Sequence, residues 1–528
     1  MTLLSSPDVA TERPSLPAPT PKSNRARRVF PWLVFALTFA LLLSDYMSRQ
    51  VLSAVFPFLK HDWGLSDTQL GSLTSVVALT VGVLAVPLSL IGDRFGRTRA
   101  IVAMAGVWSL ATLGSALAAN YEQLLLARVL IGVGEAAYGS VGLAVVLAVF
   151  PRHKRASLTG AFMAGGSFGA VLGVLVGGNI AARLGWRASF AIMAVFGLVL
   201  VVLYRLVVSD KKLERYRHPD NCEVVTGSKG ADRAKLRTLF STPSVICAYI
   251  GSGLQLCVVG ALMAWLPSYL NRAYDLSTAK SASYAAVFIL IIGAGMIYCG
   301  TLTDRLARRL PIRKWTCAIA YAAISLVFLG AGFAAHTGWV QVVLLGIGSF
   351  FAAGTAGPAG AMVANLTAES IRATALGTLT LANSVLGLAA GPLVVGVLAD
   401  KYGLVTAMKI IPFVSVAVIV ALLIGRQTYT ASLRKVNPAA LETPAESSTQ
   451  PRGWAGLFAT GAVFQVIAVL LAFVLAPQAT RLPDKADVTA HLSGTVTMLN
   501  KQAMKAHDLA HVFIRNAPLT VDRRVHVT

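Results

Sequence analysis

Two stretches decide the fold: Ser89-Leu-Ile-Gly-Asp93-Arg94-Phe-Gly-Arg97 and Gly300-Thr-Leu-Thr-Asp304-Arg305-Leu-Ala-Arg308. They are near copies. Asp93 and Asp304 lie 211 positions apart, and so do Arg97 and Arg308. Leu65-Ser66 and Leu276-Ser277, ahead of the preceding apolar runs, keep the same offset. Later, Arg155-Ala-Ser-Leu-Thr-Gly160 mirrors Arg372-Ala-Thr-Ala-Leu-Gly377 at an offset of 217, and Gly173, Gly178 and Gly185 mirror Gly391, Gly396 and Gly403 at 218. Small drift of this kind comes from changes in loop length. A duplicated set of apolar runs carrying a duplicated charged hinge implies two structural halves related by a pseudo-two-fold axis, with a chamber for cargo on that axis.

The 528 residues are 55% hydrophobic and only 13% charged, more apolar surface than a soluble chain can use. Apolar runs of about 18 residues or more recur along most of the length, which predicts an all-α polytopic membrane protein. The runs are continuous rather than alternating, which argues against a barrel. The net charge is +23, yet the Lys and Arg lie between the apolar runs and in the tails, with no aromatic-interleaved basic domain, so nucleic acid is not the expected partner. Cys222, Cys247, Cys257, Cys299 and Cys317 form no CxxC pair. Four of them fall in or beside apolar runs and read as packing residues rather than a disulfide or metal site. No cofactor is implied.

The expected organisation is a disordered cytoplasmic tail (1–28), a six-helix half (29–208), a charged linker (209–243), a second six-helix half (244–426) and a further linker (427–453). Spans are predicted at 30–56, 68–91, 100–119, 123–149, 156–182 and 188–208, then at 245–270, 282–303, 314–335, 339–363, 373–399 and 405–425. The run 454–476 is long enough for a thirteenth helix, which would leave the tail 477–528 on the far side. Arg97-Thr-Arg99, Arg152-His-Lys154-Arg155, Lys211-Lys212, Arg308-Arg309 and Arg313-Lys314 share one side, whereas Lys60, Arg183, Arg187, Arg272 and Lys401 are scattered on the other. The asymmetry predicts a cytoplasmic N-terminus and linker, in a cytoplasmic membrane. The first run is too long for a cleavable signal. His507-Asp-Leu-Ala-His511 has a zinc-like spacing but no third ligand, and reads as chance.

The two Asp-Arg loops resemble the hinge motif of the major facilitator superfamily, and the resemblance covers residues 30–425. Within it, three stretches resemble the Spinster-type transporters: Arg128-Val-Leu-Ile-Gly132-Val-Gly134-Glu135-Ala-Ala-Tyr138, Gly260-Ala-Leu-Met-Ala-Trp265-Leu-Pro267-Ser-Tyr269 and Asp45-Tyr46-Met-Ser48-Arg49. The third departs from the Spinster pattern: Ser48 stands where that pattern has Asp, and Asp45 where it has Asn. Gly185-Trp186-Arg187 is also similar to anion:cation symporters. The resemblance implies that Asp93, Arg94, Arg97, Asp304, Arg305 and Arg308 form a cytoplasmic gate stabilising the outward-facing state. It also implies lysolipid-like or sphingoid cargo in relatives.

Four ionisable groups fall at membrane depth in the first and fourth runs: Asp45, Arg49, Arg128 and Glu135. A charge at the middle of a membrane helix costs about 2.5–3.5 kcal/mol, so it faces a cavity or a partner. Asp45 and Arg49 share a face at i,i+4, and Arg128 and Glu135 sit two turns apart. Proton coupling and a static ion pair between the helices both fit this pattern. Arg128 lies towards the predicted external end, where a gate or interface role is the alternative. Gly165, Gly169, Gly173 and Gly177 form a stripe that permits close helix contact, and Gly391-Pro392 predicts a kink in the eleventh run. Tyr138, Gln255, Trp265 and Tyr269 are the candidate cargo-cavity residues, with Asn365 and Asn383 behind them. The leading expectation is a secondary active transporter of a small amphipathic or anionic solute, proton-coupled and monomeric, with drug efflux or organic-acid uptake as alternative cargo classes. A sensor or scaffold on the same frame is the competing class. An enzyme or ATP-driven pump is not expected, because no Walker A, His-Glu-x-x-His or Gly-x-Ser-x-Gly site occurs in a usable place.

Overall fold

The computed structural model describes residues 21–151, 154–216, 242–308, 310–367 and 371–436. The candidate thirteenth span, both far C-terminal segments, most of the N-terminal tail, the bulk of the charged linker and the His507/His511 pair lie outside the described residues. Among the described residues there is no strand, and twelve helices are long and apolar enough to cross a membrane. In order these are Val29–Trp63, Asp67–Ser89, Arg97–Leu117, Tyr121–Val149, Ser157–Leu184, Trp186–Val207, Pro243–Tyr274, Thr278–Leu306, Arg313–Ala334, Trp339–Asn365, Thr374–Tyr402 and Leu404–Leu433. The shortest has 21 residues, and at about 1.5 Å per residue that covers a hydrocarbon core of about 30 Å.

Several helices overrun the lengths that hydropathy predicts. The first begins at Pro21 and runs to Trp63, so part of the expected tail is helical and the helix does not stop at residue 56. The seventh continues to Tyr274 and the eleventh to Tyr402. These extensions carry charges, so an apolar criterion ends too early even though the backbone ladder continues. The linker opens with a short helix, Asp210–Arg215. Its Asp210 carboxylate accepts the Thr98 N–H at 3.0 Å and so caps the start of the third span.

Consecutive spans run in opposite directions, so the molecule has an Asp67 end and an Asp93 end. The interior is distributed unequally between them. At the Asp67 end one apolar cluster draws on both halves, from Val51–Phe56 and Leu70 through Trp265 and Phe288 to Val395 and Met408. Towards the Asp93 end it gives way to three clusters, none drawing on both halves: one in the first half, a large one in the second, and a small one of Cys299, Cys317 and Tyr321 beside that. The first contains Val34, Val145, Phe162 and Tyr204, and the second Val245, Trp315, Met362 and Tyr429. The halves are therefore sealed together at one end and packed separately at the other.

Glycines set the helix spacing inside the first half. A methyl group on Gly169 would come within 2.6 Å of the Leu43 carbonyl oxygen, and one on Gly173 within 2.7 Å of the Met47 oxygen. Gly165 lies against Phe39 and Gly177 against Val51, so the fifth span tracks the first turn by turn. In the eleventh span the expected kink takes the form of a π-helical segment, Asn383–Ala389, directly before Gly391-Pro392. Pro392 has no N–H to donate, and a widened turn re-registers the backbone ahead of it.

We expect Gly169→Val to destabilise the protein by about 1–3 kcal/mol through overpacking against helix backbone. Gly160→Ala, where a methyl meets nothing within 4 Å, serves as the control. Thermal unfolding of the purified variants checks this, and an unchanged midpoint for Gly169→Val would remove the stripe from the packing account.

Candidate functional site

The four membrane-depth charges come together where the first span meets the fourth. Glycine again makes the approach possible. A methyl on Gly132 would sit 3.0 Å from the Val77 carbonyl of the second span, and one on Gly134 2.7 Å from the Trp108 amide of the third. The fourth span thus sinks between its neighbours. Its helix breaks at Ala136-Ala137, immediately after Glu135, and restarts at Tyr138.

Glu135 Oε2 takes two hydrogen bonds from one guanidinium, from Arg49 Nε at 3.0 Å and from Arg49 Nη2. The Glu135 side chain is fully buried, whereas that of Arg49 is 19% exposed. The Arg49 guanidinium also lies over the Tyr46 ring, 5.4 Å from its centre. Asp45, one turn before Arg49 on the first span, is buried as well. Asp45 Oδ1 and Glu135 Oε1 are both buried without a donor. Glu135 is the carboxylate bonded to Arg49, and any hydrogen bond between Asp45 and Glu135 would require a proton, because ionised carboxylates only accept.

Arg128 does something different. It is fully buried and donates to three backbone carbonyls: Leu73 O at 3.4 Å, Ser48 O at 3.2 Å and Arg49 O at 3.0 Å. It ties the fourth span to the first and second.

The proposed cargo residues are packed rather than displayed. Tyr138 is fully buried, edge-on to Trp108 at 4.9 Å, and its hydroxyl donates to Thr38 O at 2.7 Å. Trp265 is fully buried against Phe56 of the first span, and its Nε1 donates to Pro392 O at 2.9 Å. The Tyr269 hydroxyl accepts from Gln341 Nε2 at 3.0 Å, and Gln255 Oε1 accepts from Ser415 at 3.1 Å. In this conformation none of the four lines an open surface. Asn365 is exposed, and Asn383 opens the π-helical segment of the eleventh span.

Of the hinge residues, Arg97 starts the third span, while Asp304, Arg305 and Arg308 are exposed at the end of the eighth. The side chains of Asp93 and Arg94 are not among those described. Cys257, Cys299 and Cys317 are buried and Cys247 half-buried, all unbridged. No group of three or more His, Cys, Asp or Glu suited to a metal occurs among the described residues.

Sequence reading missed a second constellation at the opposite end. Asp67, buried at the start of the second span, is bound by Lys60 and by Arg272, and Asp400 caps the same helix start. Lys60 and Arg272 had the look of scattered loop charges. The signal available was the repeat itself: Asp67 directly succeeds Leu65-Ser66, as Thr278 succeeds Leu276-Ser277, so the carboxylate is present in one half only.

A helical membrane transporter is the class that this architecture defines. Residues 38–348, more than half of the chain, match the Major Facilitator Superfamily model, and the chain belongs to that family. It is 28% identical over 338 residues to the probable L-galactonate transporter of Escherichia coli, covering 62% of this chain and 74% of that protein. It is 26% identical over 424 residues to the probable 4-methylmuconolactone transporter of Cupriavidus pinatubonensis, covering 77% and 93%. Human protein spinster homolog 1 is 29% identical over 245 residues, 46% of each chain. A bacterial homologue of the human lysosomal transporter Spinster, solved in an inward-facing and unoccupied conformation, shares the fold with a TM-score of 0.65 at 20% identity, covering 79% of this chain and 99% of that one. The chain is thus an integral membrane transporter of small molecules, similar to Spinster proteins, and not an enzyme.

Arg128→Gln should lower stability by about 2–3 kcal/mol, since buried carbonyls lose a charged donor. Arg128→Lys should not restore it, because one ammonium cannot reach three carbonyls on two helices. Thermal midpoints in detergent decide; a wild-type midpoint for Arg128→Gln would contradict the stapling role.

Proposed function

We propose that the protein moves a small organic anion, or an amphipathic solute with an anionic head, across the cytoplasmic membrane by alternating access coupled to protons. The observation that carries this reading is the ion pair between the partly exposed Arg49 and the buried Glu135, with a second buried carboxylate, Asp45, one turn before Arg49 on the same helix. Arg49 is the one cation of the cluster whose charge reaches solvent, whereas Arg128 is fully buried on carbonyls. An anionic cargo group and Glu135 would compete for the same guanidinium. A proton taken up on the carboxylate pair weakens its hold on Arg49, which then binds the cargo; loss of the proton re-forms the pair and releases the cargo.

The Asp93 end carries Arg97, Arg99, Lys154, Arg155, Lys211, Lys212, Arg308, Arg313 and Lys314, which supports a cytoplasmic Asp93 end and N-terminus. With the Asp67 end sealed across both halves and the Asp93 end packed as separate clusters in each half, this conformation is inward-facing. The exposed Asp304, Arg305 and Arg308 fit a cytoplasmic gate released in this state. Relatives named for galactonate, hexuronate and 4-methylmuconolactone make organic anions the favoured cargo class. The working unit is a monomer.

The test is transport in proteoliposomes, with a hexuronate, an aldonate and a lysophospholipid as probe cargoes. A wild-type chain should accumulate its cargo up to about tenfold per pH unit of gradient for one proton per cycle, since a pH unit is worth about 1.4 kcal/mol. Glu135→Gln should abolish this accumulation yet retain cargo-for-cargo exchange. Undiminished gradient-driven accumulation in Glu135→Gln would take Glu135 out of the coupling.

A further inference from the structure

The constellation at the Asp67 end joins the two halves through polar bonds of unequal ownership. The Asp67 carboxylate takes 2.8 Å from Lys60 Nζ, 2.9 Å from Arg272 Nη1 and 2.7 Å from Arg272 Nη2. Lys60 belongs to the same half as Asp67, and Arg272 to the other. From that other half Asp400 accepts the backbone N–H groups of Asp67 at 2.7 Å and Thr68 at 2.9 Å. These are opening N–H groups of the second span, which no carbonyl of its own helix can take, and a carboxylate is favoured there by the helix dipole. Ser66 and Gln69 complete the cap with a reciprocal pair of bonds within the first half.

When the halves part at this end, Arg272 and Asp400 must leave together. Asp67 would then be an uncompensated charge at a membrane surface, were it not for Lys60. Lys60 is held with its own half: the next turn of its helix is tied down by Asp62, which accepts Trp186 Nε1 at 2.9 Å, and Arg187 covers the Trp186 ring at 4.2 Å while donating to Ala118 O at 3.3 Å. The Lys60 side chain is 40% exposed and so remains within reach of water as well as of Asp67.

Building on the alternating-access reading, we propose that these residues form an external clasp with a resident cation. Arg272 and Asp400 hold the external side shut, and Lys60 stands in as the partner of Asp67 once they have gone. The two kinds of bond then act with opposite sign on the opening equilibrium. Removing Arg272 or Asp400 weakens only the shut state. Removing Lys60 strips the open state of its last partner for Asp67, while the shut state keeps Arg272 and loses the repulsion between the two cations.

Electron–electron distance measurements test this in the full chain, with its native cysteines replaced and spin labels at Glu122 and His336, exposed positions of the Asp67 end, one in each half. Arg272→Ala and Asp400→Asn should each raise the ratio of the long to the short distance by about tenfold, between the values for surface and buried pairs. Arg272→Gln replaces Arg272→Ala if the latter does not fold. In the Asp400→Asn chain, where the open state is populated enough to measure, adding Lys60→Ala should lower the ratio several-fold. An unchanged ratio in both the Arg272 and Asp400 variants overturns the clasp, and a rise on adding Lys60→Ala overturns the stand-in. A single distance in every chain at every pH overturns alternating access itself, and the clasp with it. Two populations that respond wrongly overturn the clasp alone.

Discussion

A charge in hydrocarbon has to be answered by a partner, and the arrangement of helices in this protein is largely the set of answers. Arg128 is answered by three carbonyls on two neighbouring helices, which ties the fourth span to the first and second. Arg49 is answered by Glu135, with Asp45 alongside. The oxygens left over in that second cluster, Asp45 Oδ1 and Glu135 Oε1, are buried without a protein donor. Arg128 is held by backbone and Arg49 by a carboxylate, although both sit where the first and fourth spans meet. The difference lies in what faces each: backbone, which cannot leave, or carboxylates that can take up a proton.

The packing around this cluster differs between the two ends of the molecule. A single interior shared by both halves lies at the Asp67 end, and separate interiors, none drawing on both halves, lie towards the Asp93 end. Within the first half, Gly169 and Gly173 bring the fifth span to backbone contact with the first, and Gly165 lies against the Phe39 ring. Between halves, close approaches also occur at glycine, as at Gly396 against the Asp67 carbonyl, and there the polar bonds of Lys60, Arg272 and Asp400 accompany them. The π-helical stretch at Asn383–Ala389 lies on the eleventh span, which meets the second across this interface. A turn with irregular hydrogen bonding bends at less cost than a regular one.

Much of the site was legible because charge inside an apolar run is rare and carries meaning wherever it occurs. Asp45, Arg49, Arg128 and Glu135 are named by that rule alone, and the structure brings all four together. Their division of labour was not legible. Arg128 and Glu135 sit two turns apart on one helix, yet Arg128 turns to carbonyls while Glu135 turns to Arg49. Tyr138, Gln255, Trp265 and Tyr269 were chosen as large amphipathic side chains on suitable spans, and in this conformation each is buried with a hydrogen bond inside the packing. Composition cannot separate a tyrosine that lines a chamber from one that donates to Thr38, since both want an apolar body and a polar tip. Asp67, Lys60, Arg272 and Asp400 escaped notice because hydropathy ends a span where charges begin, whereas the helices continue to Trp63, Tyr274 and Tyr402.

By itself the sequence determined the features set by local composition and by repetition: twelve apolar lengths, two halves, the hinge loops, the glycine stripe and the intramembrane charges. Each of these is a property of one segment, or of a segment and its copy, and the bilayer enforces it without reference to neighbours. Only the tertiary structure decided which residues of different spans share a bond, which end is sealed and which side chains are core. Those depend on helices far apart in the chain, by 86 positions for Arg49 and Glu135 and 205 for Asp67 and Arg272, and nothing in the periodicity of either helix encodes the other's rotation or reach.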